Sequence, residues 1–263
     1  MAPLRPLHLG VARLGLALVL VIAVAWVGAG VWSALPWRTD SQRMMESSAE
    51  PSIPPAVGGS AITALVRLEV KGRAPKSGYD RAQFGQAWAD VNRNGCDTRN
   101  DVLRRDLTAY QLKPGSHGCL VLSGTLLDPY TATTITFARG RSTSSEVQID
   151  HVVALSDAWQ KGAQQWSTPR RTTYANDLLN LLAVDGPTNQ RKGDGDAATW
   201  LPPHKPYRCS YAARQVAVKA KYGLWVTRAE RDALARILAT CPAQPLPTAQ
   251  MPQTARPTSV PIP

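Results

Sequence analysis

Three short stretches in the second half of the chain decide the fold: IDHVVAL at residues 149–155, DLLNLLAV at residues 177–184 and NQRKGD at residues 189–194. The first two contain short apolar runs, which predict buried strands. Side chains alternate between the two faces of a strand, so Asp150 and His151 reach one site only if the strand end is twisted or bulged. The block therefore predicts a strand-based scaffold with polar residues at its ends.

The polar residues of this block have the chemistry of an active site. Asp150 can hold a hard divalent cation through oxygen, and His151 can deprotonate a water near neutral pH. Asn189 can supply a second, neutral oxygen ligand, and Asn180 can orient the imidazole or a backbone segment. An isolated Asp-His pair is more often structural, but the two asparagines and the Lys192-Gly turn favour catalysis.

The spacing of these residues resembles the HNH branch of the ββα-metal, or His-Me finger, nucleases. It reads Asp-His, 28 residues, Asn, eight residues, Asn, two residues, Lys-Gly. More closely, the chain is similar to the C-terminal HNH domain of GmrSD-type restriction endonucleases in the version found on exported bacterial proteins. The similarity extends from Tyr79 to Cys241 and includes YDRAQFGQAW, NGCDTRNDVLRRDL and LLDPYTATTITFARG.

The resemblance implies a role for each residue of the motif. His151 would be the general base of phosphodiester hydrolysis, Asn180 the middle residue of the motif, and Asp150 and Asn189 the ligands of a divalent metal. Mg²⁺ is the expected ion and Mn²⁺ an alternative. Many HNH proteins have a third histidine where this chain has Asn189, which leaves the identity of the metal open.

Composition and charge agree with a folded domain that approaches a polyanion. The chain has 44% hydrophobic residues and a net charge of +11, which argues against wholesale disorder, and no collagen or heptad period is present. Between residues 62 and 241, 25 basic and 16 acidic residues leave a net charge of +9. Arg139, Arg191 and Lys192 are predicted to contact nucleic acid. A basic, solvated surface kept for solubility is the alternative.

The two ends of the chain lie outside the predicted domain. Residues 1–37 hold an uncharged apolar run from Leu14 to Trp37, which predicts an export signal or an uncleaved membrane anchor, with the rest of the chain outside the cell. Residues 38–61 have the composition of a flexible linker. Residues 242–263 include seven prolines and predict a disordered tail. One domain therefore remains at residues 62–241, with its motif at 147–200.

The four cysteines agree with export. They form no C-x-x-C pair, which disfavours a zinc ribbon or a thioredoxin-like motif. Four cysteines allow three pairings, and the spacing favours Cys96 with Cys119 and Cys209 with Cys241. Four buried free thiols are the alternative.

The remaining patterns predict an α+β domain, an HNH ββα finger fastened by disulfides and flanked by helices. Strands are expected at residues 119–127, 133–137 and 181–184, and the β pattern also includes Val147, Ile149 and residues 152–155. Helices are expected at 80–94, 156–165, 170–177 and 212–222, and after the capping box that begins at Thr227.

A second metal site is a weaker hypothesis. Asp90, Asn92, Asn94 and Gly95 match the start of an EF-hand calcium loop, with Asp101 at the twelfth position. Asp101 replaces the bidentate glutamate expected there. An Asn-Gly turn fixed by a disulfide is the competing and preferred interpretation.

Together these features predict an exported, metal-dependent endonuclease that acts on DNA and reaches the membrane only if its N-terminal segment is uncleaved. The main alternative is a basic protein on an HNH scaffold that binds nucleic acid or a cell-wall polymer without catalysis. A phosphodiesterase acting on a teichoic polymer of the wall is a third candidate.

Overall fold

The computed structural model describes residues 59–140 and 144–249. The predicted signal or anchor at 1–37, most of the predicted linker and residues 250–263 of the predicted tail lie outside the described residues. No helix within the described ranges has both the length and the apolar character needed to cross a membrane.

The described residues contain helices and antiparallel strands grouped along the chain, which confirms the α+β class. In chain order they are α1 (Ala61–Val66), α2 (Thr98–Asp106), β1 (Thr108–Leu112), β2 (Val121–Leu127), β3 (Thr134–Ala138), β4 (Val147–His151), α3 (Leu155–Trp159), α4 (Thr168–Ala175), β5 (Leu181–Asp185), α5 (Gly186–Lys192), α6 (Arg208–Tyr222) and α7 (Arg228–Ala239). Short 3₁₀ helices lie at Arg81–Phe84, Ala163–Gln165 and Lys205–Tyr207.

The strands of the described residues form two separate antiparallel sheets. One has the order β1-β2-β3, and its β2–β3 hairpin confirms the strands predicted at 119–127 and 133–137. Asp128 fixes the turn of this hairpin, because its carboxylate accepts hydrogen bonds from Thr131 N and Asp185 N at 2.8 and 2.9 Å. The sequence did not predict β1, whose residues are nearly all exposed and so show no alternation.

The second sheet and the helix after it make the predicted ββα unit. β4 and β5 pair so that Asp150 lies opposite Leu182 and His151 opposite Leu181. α5 follows β5 directly, because Asp185 caps it by accepting a hydrogen bond from Thr188 N at 2.8 Å. α5 packs against both strands. The helix therefore returns its residues to the edge where β4 ends.

The predicted helix at residues 80–94 is wrong beyond its first turn. Asp80 caps that turn as predicted, accepting a hydrogen bond from Ala82 N at 2.8 Å, but the turn is a 3₁₀ helix that ends at Phe84. Gly85 has φ +76°, and a Cβ on it would lie 2.1 Å from Thr172 Oγ1. The positive φ and the close approach to α4 both require glycine at this position, and the residues beyond it are not helical.

The other predicted helices are confirmed with changed boundaries. α7 opens with the predicted capping box, in which Thr227 Oγ1 accepts a hydrogen bond from Glu230 N at 3.2 Å and Glu230 Oε2 accepts one from Thr227 N at 3.3 Å. The helix predicted at 156–165 divides into α3 and a 3₁₀ helix, with Gly162 at φ +128° between them.

Both predicted disulfides are confirmed. Cys96–Cys119 joins the loop before α2 to the loop before β2, with Cα atoms 5.2 Å apart. Cys209–Cys241 joins the first turn of α6 to the chain after α7, with Cα atoms 6.4 Å apart. In the chain-entropy account, closing loops of this size stabilises the fold by roughly 3 kcal/mol each.

The folded part extends beyond the predicted boundaries at residues 62 and 241. Ser60 forms a β-bridge with Pro245, and Ala61 N donates a hydrogen bond to Gln244 O at 2.8 Å. Leu246 packs against the hydrophobic core. Residues 242–249, assigned above to the disordered tail, therefore belong to the domain.

Charged side chains are buried together where α3, α6 and α7 meet. Lys161 Nζ lies 2.6–2.8 Å from three different carboxylates, and Lys219 Nζ lies within 3.2 Å of two of them. Arg73 adds a third cation, so the charges balance. We refer to this set as the ion network: Arg73, Asp157, Lys161, Asp196, Lys219 and Glu230.

Candidate active site

A cleft of about 450 Å³ opens at the end of β4, and three of the four predicted motif residues line it: Asp150, His151 and Asn189. Asp150 and His151 are adjacent in a strand, so their side chains would ordinarily point to opposite faces. Here β4 ends at His151, residues 152–153 form a bend and α3 begins at Leu155, so the β pattern predicted at residues 152–155 is wrong. The end of the strand therefore presents both side chains to one cleft, which the sequence had allowed only for a distorted strand end. We refer to this space as the reaction cleft.

Asp150 is held on both sides. Its Oδ2 accepts a hydrogen bond from the Tyr130 hydroxyl at 2.5 Å, and its Oδ1 accepts one from Lys192 Nζ at 2.9 Å. Tyr130 is completely buried and packs against the rings of Trp200 and Tyr211. These two contacts fix the carboxylate, and each oxygen retains a lone pair for a further partner.

His151 is oriented by the backbone of α4. Its Nε2 lies 2.8 Å from Ala175 O, and because a carbonyl oxygen only accepts, the Nε2 atom carries the proton and donates it. The proton-accepting nitrogen is therefore Nδ1. Burial, joined by the nearby charge of Arg81, lowers the pKa of His151 to about 4, although the bond to Ala175 O opposes the shift. The imidazole is neutral at pH 7.

The side-chain hydrogen bonds of Asn180 to described residues go to the chain that follows His151 and not to the imidazole. Its Oδ1 accepts a hydrogen bond from Val153 N at 2.8 Å, and its Nδ2 donates one to Val153 O at 3.1 Å. The side chain is completely buried. Of the two roles that the sequence allowed, the structure gives Asn180 the orientation of a backbone segment.

Asn189 lies on α5, where its Nδ2 donates a hydrogen bond to Gln148 Oε1 at 2.9 Å. This contact uses the donor end of the amide and leaves the Oδ1 atom as an acceptor. The reaction cleft thus offers the Asp150 carboxylate and the Asn189 amide oxygen beside a neutral histidine. A second carboxylate, Asp194, also lines the cleft and pairs with Lys76 at 2.9 Å.

The oxygens of Asp150 and Asn189 are of the kind that a hard divalent cation binds, since Mg²⁺ prefers oxygen, keeps several waters and commonly uses only one or two carboxylates of the protein. Lys192 Nζ lies 2.9 Å from Asp150 Oδ1, so a bound ion would share that carboxylate with an ammonium group. Among the described residues no group of three or more His, Cys, Asp or Glu side chains converges as it would in a zinc site.

Four further residues that line the reaction cleft come from the chain before β1, and no sequence pattern marked them as site residues: Tyr79, Arg81, Trp88 and Arg99. Arg81 is exposed, and its guanidinium makes no hydrogen bond or ion pair with any described residue, although its charge reaches His151. An unpaired guanidinium beside a neutral imidazole is suited to a phosphate oxygen. No local pattern could have linked it to a histidine 70 positions later.

The basic residues predicted to contact nucleic acid lie in three different environments. Arg191 is exposed on α5, where its Nη2 donates to Thr188 Oγ1 at 2.7 Å. Arg139 donates to Val121 O and Asn100 Oδ1 at 2.6 and 2.7 Å, so it fastens β2 to α2. Lys192 is buried, with its ammonium on Asp150 and on His151 O. The prediction that Lys192 faces phosphate does not fit this position.

The candidate calcium loop satisfies its own polar groups. Asp90 accepts hydrogen bonds from the backbone nitrogens of Asn94 and Gly95. Asp101 accepts them from the side-chain amides of Asn92 and Asn94, and it pairs with Arg104 at 2.6 Å. The carboxylate that would complete the calcium site is therefore already surrounded by donors, which agrees with the alternative of an Asn-Gly turn beside the Cys96–Cys119 disulfide.

Comparison with known proteins agrees with this site. The family described as GmrSD restriction endonucleases, C-terminal domain, matches residues 97–237, which is more than half of the chain. The chain belongs to this family. The match contains every residue of the HNH-type motif, and the family description indicates nuclease activity in general terms.

The chain also has a relative among curated proteins. An uncharacterized secreted protein of Arthroderma benhamiae is 42% identical over 193 residues, which are 73% of this chain and 88% of the relative. No solved structure matches the chain significantly.

Proposed function

We propose that this protein is an exported, metal-dependent endonuclease that hydrolyses phosphodiester bonds of DNA, with His151 as its general base. The observation that carries the proposal is the orientation of the imidazole. Its Nε2 proton is bound to Ala175 O, and its Nδ1 belongs to a ring that lines the same cleft as Asp150 and Asn189.

The histidine is prepared for proton transfer. Because burial keeps the ring neutral at pH 7, Nδ1 can accept a proton from a water that attacks phosphorus. The imidazolium that forms keeps the hydrogen bond from its Nε2–H group to Ala175 O. This carbonyl oxygen stabilises the positive charge of the ring. Asn180 keeps the backbone after His151 in place through both of its bonds to Val153. We assign it to positioning.

Positive charge around the reaction cleft suits a phosphodiester. Arg81 is unpaired among the described residues and lines the cleft, so it can bind a phosphate oxygen on the side of His151. Arg191 is exposed on α5 and can contact the backbone of the polymer. A divalent cation held by Asp150 and Asn189 would stabilise the charge that develops on the phosphate and on the leaving oxygen. We propose Mg²⁺, with Mn²⁺ as a substitute.

We do not extend the proposal to Ca²⁺ at the loop of Asp90 and Asp101. The side-chain amide groups of Asn92 and Asn94 and the Arg104 guanidinium donate to Asp101. A calcium ion would have to displace these donors and would then lie close to the Arg104 charge.

Two observations support export. The two disulfides are stable in an oxidising compartment, and the Arthroderma benhamiae relative is described as secreted. An uncleaved N-terminal segment would keep the same domain at the outer face of the membrane.

The test is hydrolysis of plasmid DNA by the purified protein with Mg²⁺, repeated with EDTA and with His151→Asn. We expect EDTA to abolish cleavage and the substitution to slow it by roughly 10²–10⁴-fold, which is the usual contribution of a general base. His117→Asn is the matched control, because His117 is exposed and its φ of +51° suits asparagine.

The other outcomes assign the alternatives. If neither the wild type nor His151→Asn cleaves DNA but both bind it, the protein is a binding protein on an HNH scaffold. Cleavage of RNA but not DNA of the same sequence would reassign the polymer and keep the mechanism. Release of phosphate from teichoic acid with DNA intact would indicate a wall substrate.

A further inference from the structure

A second cavity, of about 230 Å³, lies directly beside the reaction cleft. The two spaces have four lining residues in common, among them His151, Arg81 and Trp88. A group bound in the second cavity would therefore be adjacent to a phosphate that is held at His151. We refer to this space as the side cavity.

The side cavity differs from the reaction cleft in the chemistry of its walls. Phe84, Leu155 and Ala175 are buried apolar residues that line it, and the half-buried indole of Trp88 stands between the two spaces. Within residues 59–140 and 144–249, no carboxylate lines the side cavity, whereas Asp150 and Asp194 line the reaction cleft. The walls suit a flat, uncharged ring and not a second phosphate.

Trp88 is held in place by its surroundings. Its backbone has φ +60°, which is unusual for an aromatic residue, and its carbonyl accepts a hydrogen bond from Thr98 N at 3.2 Å. The hydroxyl of Thr98 donates to Ala89 O at 2.5 Å. The Arg99 guanidinium lies 5.9 Å from the centre of the indole ring. A ring fixed in this way loses little entropy when another ring stacks on it.

A polar group on the wall can select among rings. Asn176 is buried, and its Nδ2 donates to Thr172 O at 2.9 Å and Gln86 O at 3.4 Å. Its amide oxygen is left as an acceptor, and among the described residues no donor to it is found. An exocyclic amino group is the part of a nucleobase that such an acceptor would bind.

We propose that the side cavity binds one unpaired nucleobase next to the scissile phosphate, with Trp88 as the stacking platform. This inference rests on the proposed function. In a duplex the two faces of a base are covered by its neighbours, so a base that stacks on Trp88 must first leave the duplex. The substrate is therefore single-stranded or locally unpaired nucleic acid, and a duplex must first release a base at an energetic cost.

The experiment compares steady-state cleavage of matched single-stranded and duplex oligonucleotides by the full protein and by Trp88→Ala and Trp88→Phe. We expect the wild type to prefer the single strand. Trp88→Ala should raise KM for the single strand by roughly 5- to 150-fold, which corresponds to the loss of one stacked base. Trp88→Phe should recover most of that loss, because a phenyl ring still stacks.

A modified substrate separates stacking from a general loss of structure. After the cleavage position is mapped, an abasic nucleotide is placed on either side of it. One of the two positions should raise KM for the wild type by a factor similar to that of Trp88→Ala, and it should have no further effect on that variant. A merely structural role of Trp88 would make the two losses multiply. Trp225→Ala is the matched control, because Trp225 is also half-buried and lines neither space.

The outcomes distinguish this inference from the function on which it rests. If no oligonucleotide is cleaved by any protein, the proposed function fails. If the wild type cleaves duplex and single strand equally, and abasic nucleotides have no effect, the nuclease stands and the base-binding side cavity is wrong.

Discussion

Lysine ammonium groups are buried against carboxylates in two regions of this protein, and the surroundings give them different roles. In the ion network, Lys161 and Lys219 lie among three carboxylates, and no member of the network lines the reaction cleft or the side cavity. At the end of β4, Lys192 is equally buried, but its partner Asp150 lines the reaction cleft. An enclosed ion pair can act only on folding, whereas one at a cleft also sets the position and charge of a reacting group.

The largest expected effect is on stability, in the ion network. Lys161→Met leaves Asp157, Asp196 and Glu230 with fewer cations in a site that water does not reach, so the free energy of unfolding should fall by about 3–5 kcal/mol. Urea unfolding measures this. Lys71→Met is the control, because the Lys71–Glu69 pair is exposed and its loss should cost about 1 kcal/mol or less.

The activity of Lys161→Met tests whether the ion network and the reaction cleft act separately. Below the unfolding temperature, Lys161→Met should cleave DNA at nearly the rate of the wild type, since the network does not touch the cleft. A loss of activity larger than the loss of folded protein would show that the network also positions the site.

The pH dependence of stability should separate the two regions. The pKa of His151 is lowered to about 4 by burial, so unfolded protein binds an extra proton between pH 6.5 and pH 4. Stability is complete above pH 6.5 and should fall by about 3 kcal/mol as the pH drops to 4. The His151→Asn variant, measured in EDTA, should lose this step.

The ion network should produce a second decrease at lower pH. Burial acts to raise the pKa of Asp157, but the ammonium groups of Lys219 and Lys161 outweigh it and lower that pKa below 3.8; Asp196 is lowered in the same way by Lys161. Their contribution is present above the unfolded pKa and is lost as the pH falls below about 3.9. This step should remain in His151→Asn. A single transition in both proteins would contradict the assignment.

The Lys192–Asp150 ion pair at the reaction cleft should affect activity more than stability, which is the opposite of the ion network. Lys192→Met removes the ammonium that holds Asp150 Oδ1 and His151 O, which should lower kcat/KM by about 10–100-fold, the usual cost of losing a group that positions a metal ligand. The loss of stability should be smaller than for Lys161→Met, because cleft water can solvate Asp150. Lys113→Met, at an exposed loop position, is the control. A stability loss equal to that of Lys161→Met would remove the distinction between the regions.

Sequence patterns predicted the parts of the site that are local. Asp150, His151, Asn180 and Asn189 fall within one block of 40 residues, and the two apolar runs of that block predict the strands β4 and β5. The helix α5 was expected only from the resemblance to HNH domains. The capping box at Thr227 and both disulfides were also predictable, because each depends on short spacings or on a small number of pairings.

The remaining site residues are brought in by tertiary structure, which leaves no local signal. Arg81 and Trp88 lie in a segment that the apolar spacing predicted as one helix. The structure has only a 3₁₀ turn at Arg81–Phe84, after which Gly85 has φ +76°. Tyr130 lies between the predicted strands at 119–127 and 133–137, a position that indicates a turn. Only the folded structure shows that its hydroxyl reaches Asp150.

The smallest expected effect tests whether Tyr130 positions Asp150 or only fills the core. Tyr130→Phe keeps the ring and removes the hydrogen bond to Asp150 Oδ2. Lys192 still holds the other oxygen, so kcat/KM should fall by up to about tenfold, equivalent to the roughly 1.5 kcal/mol of one hydrogen bond to a charged group.

The control is Tyr211→Phe, since Tyr211 packs against Tyr130 but its hydroxyl is bound by Gln215 Nε2 at 2.8 Å. Both variants lose one buried hydroxyl, so thermal unfolding should shift by similar amounts, and only Tyr130→Phe should lose activity. Equal losses of activity would mean that the aromatic cluster supports the cleft as a whole, and that the carboxylate is positioned by Lys192 alone.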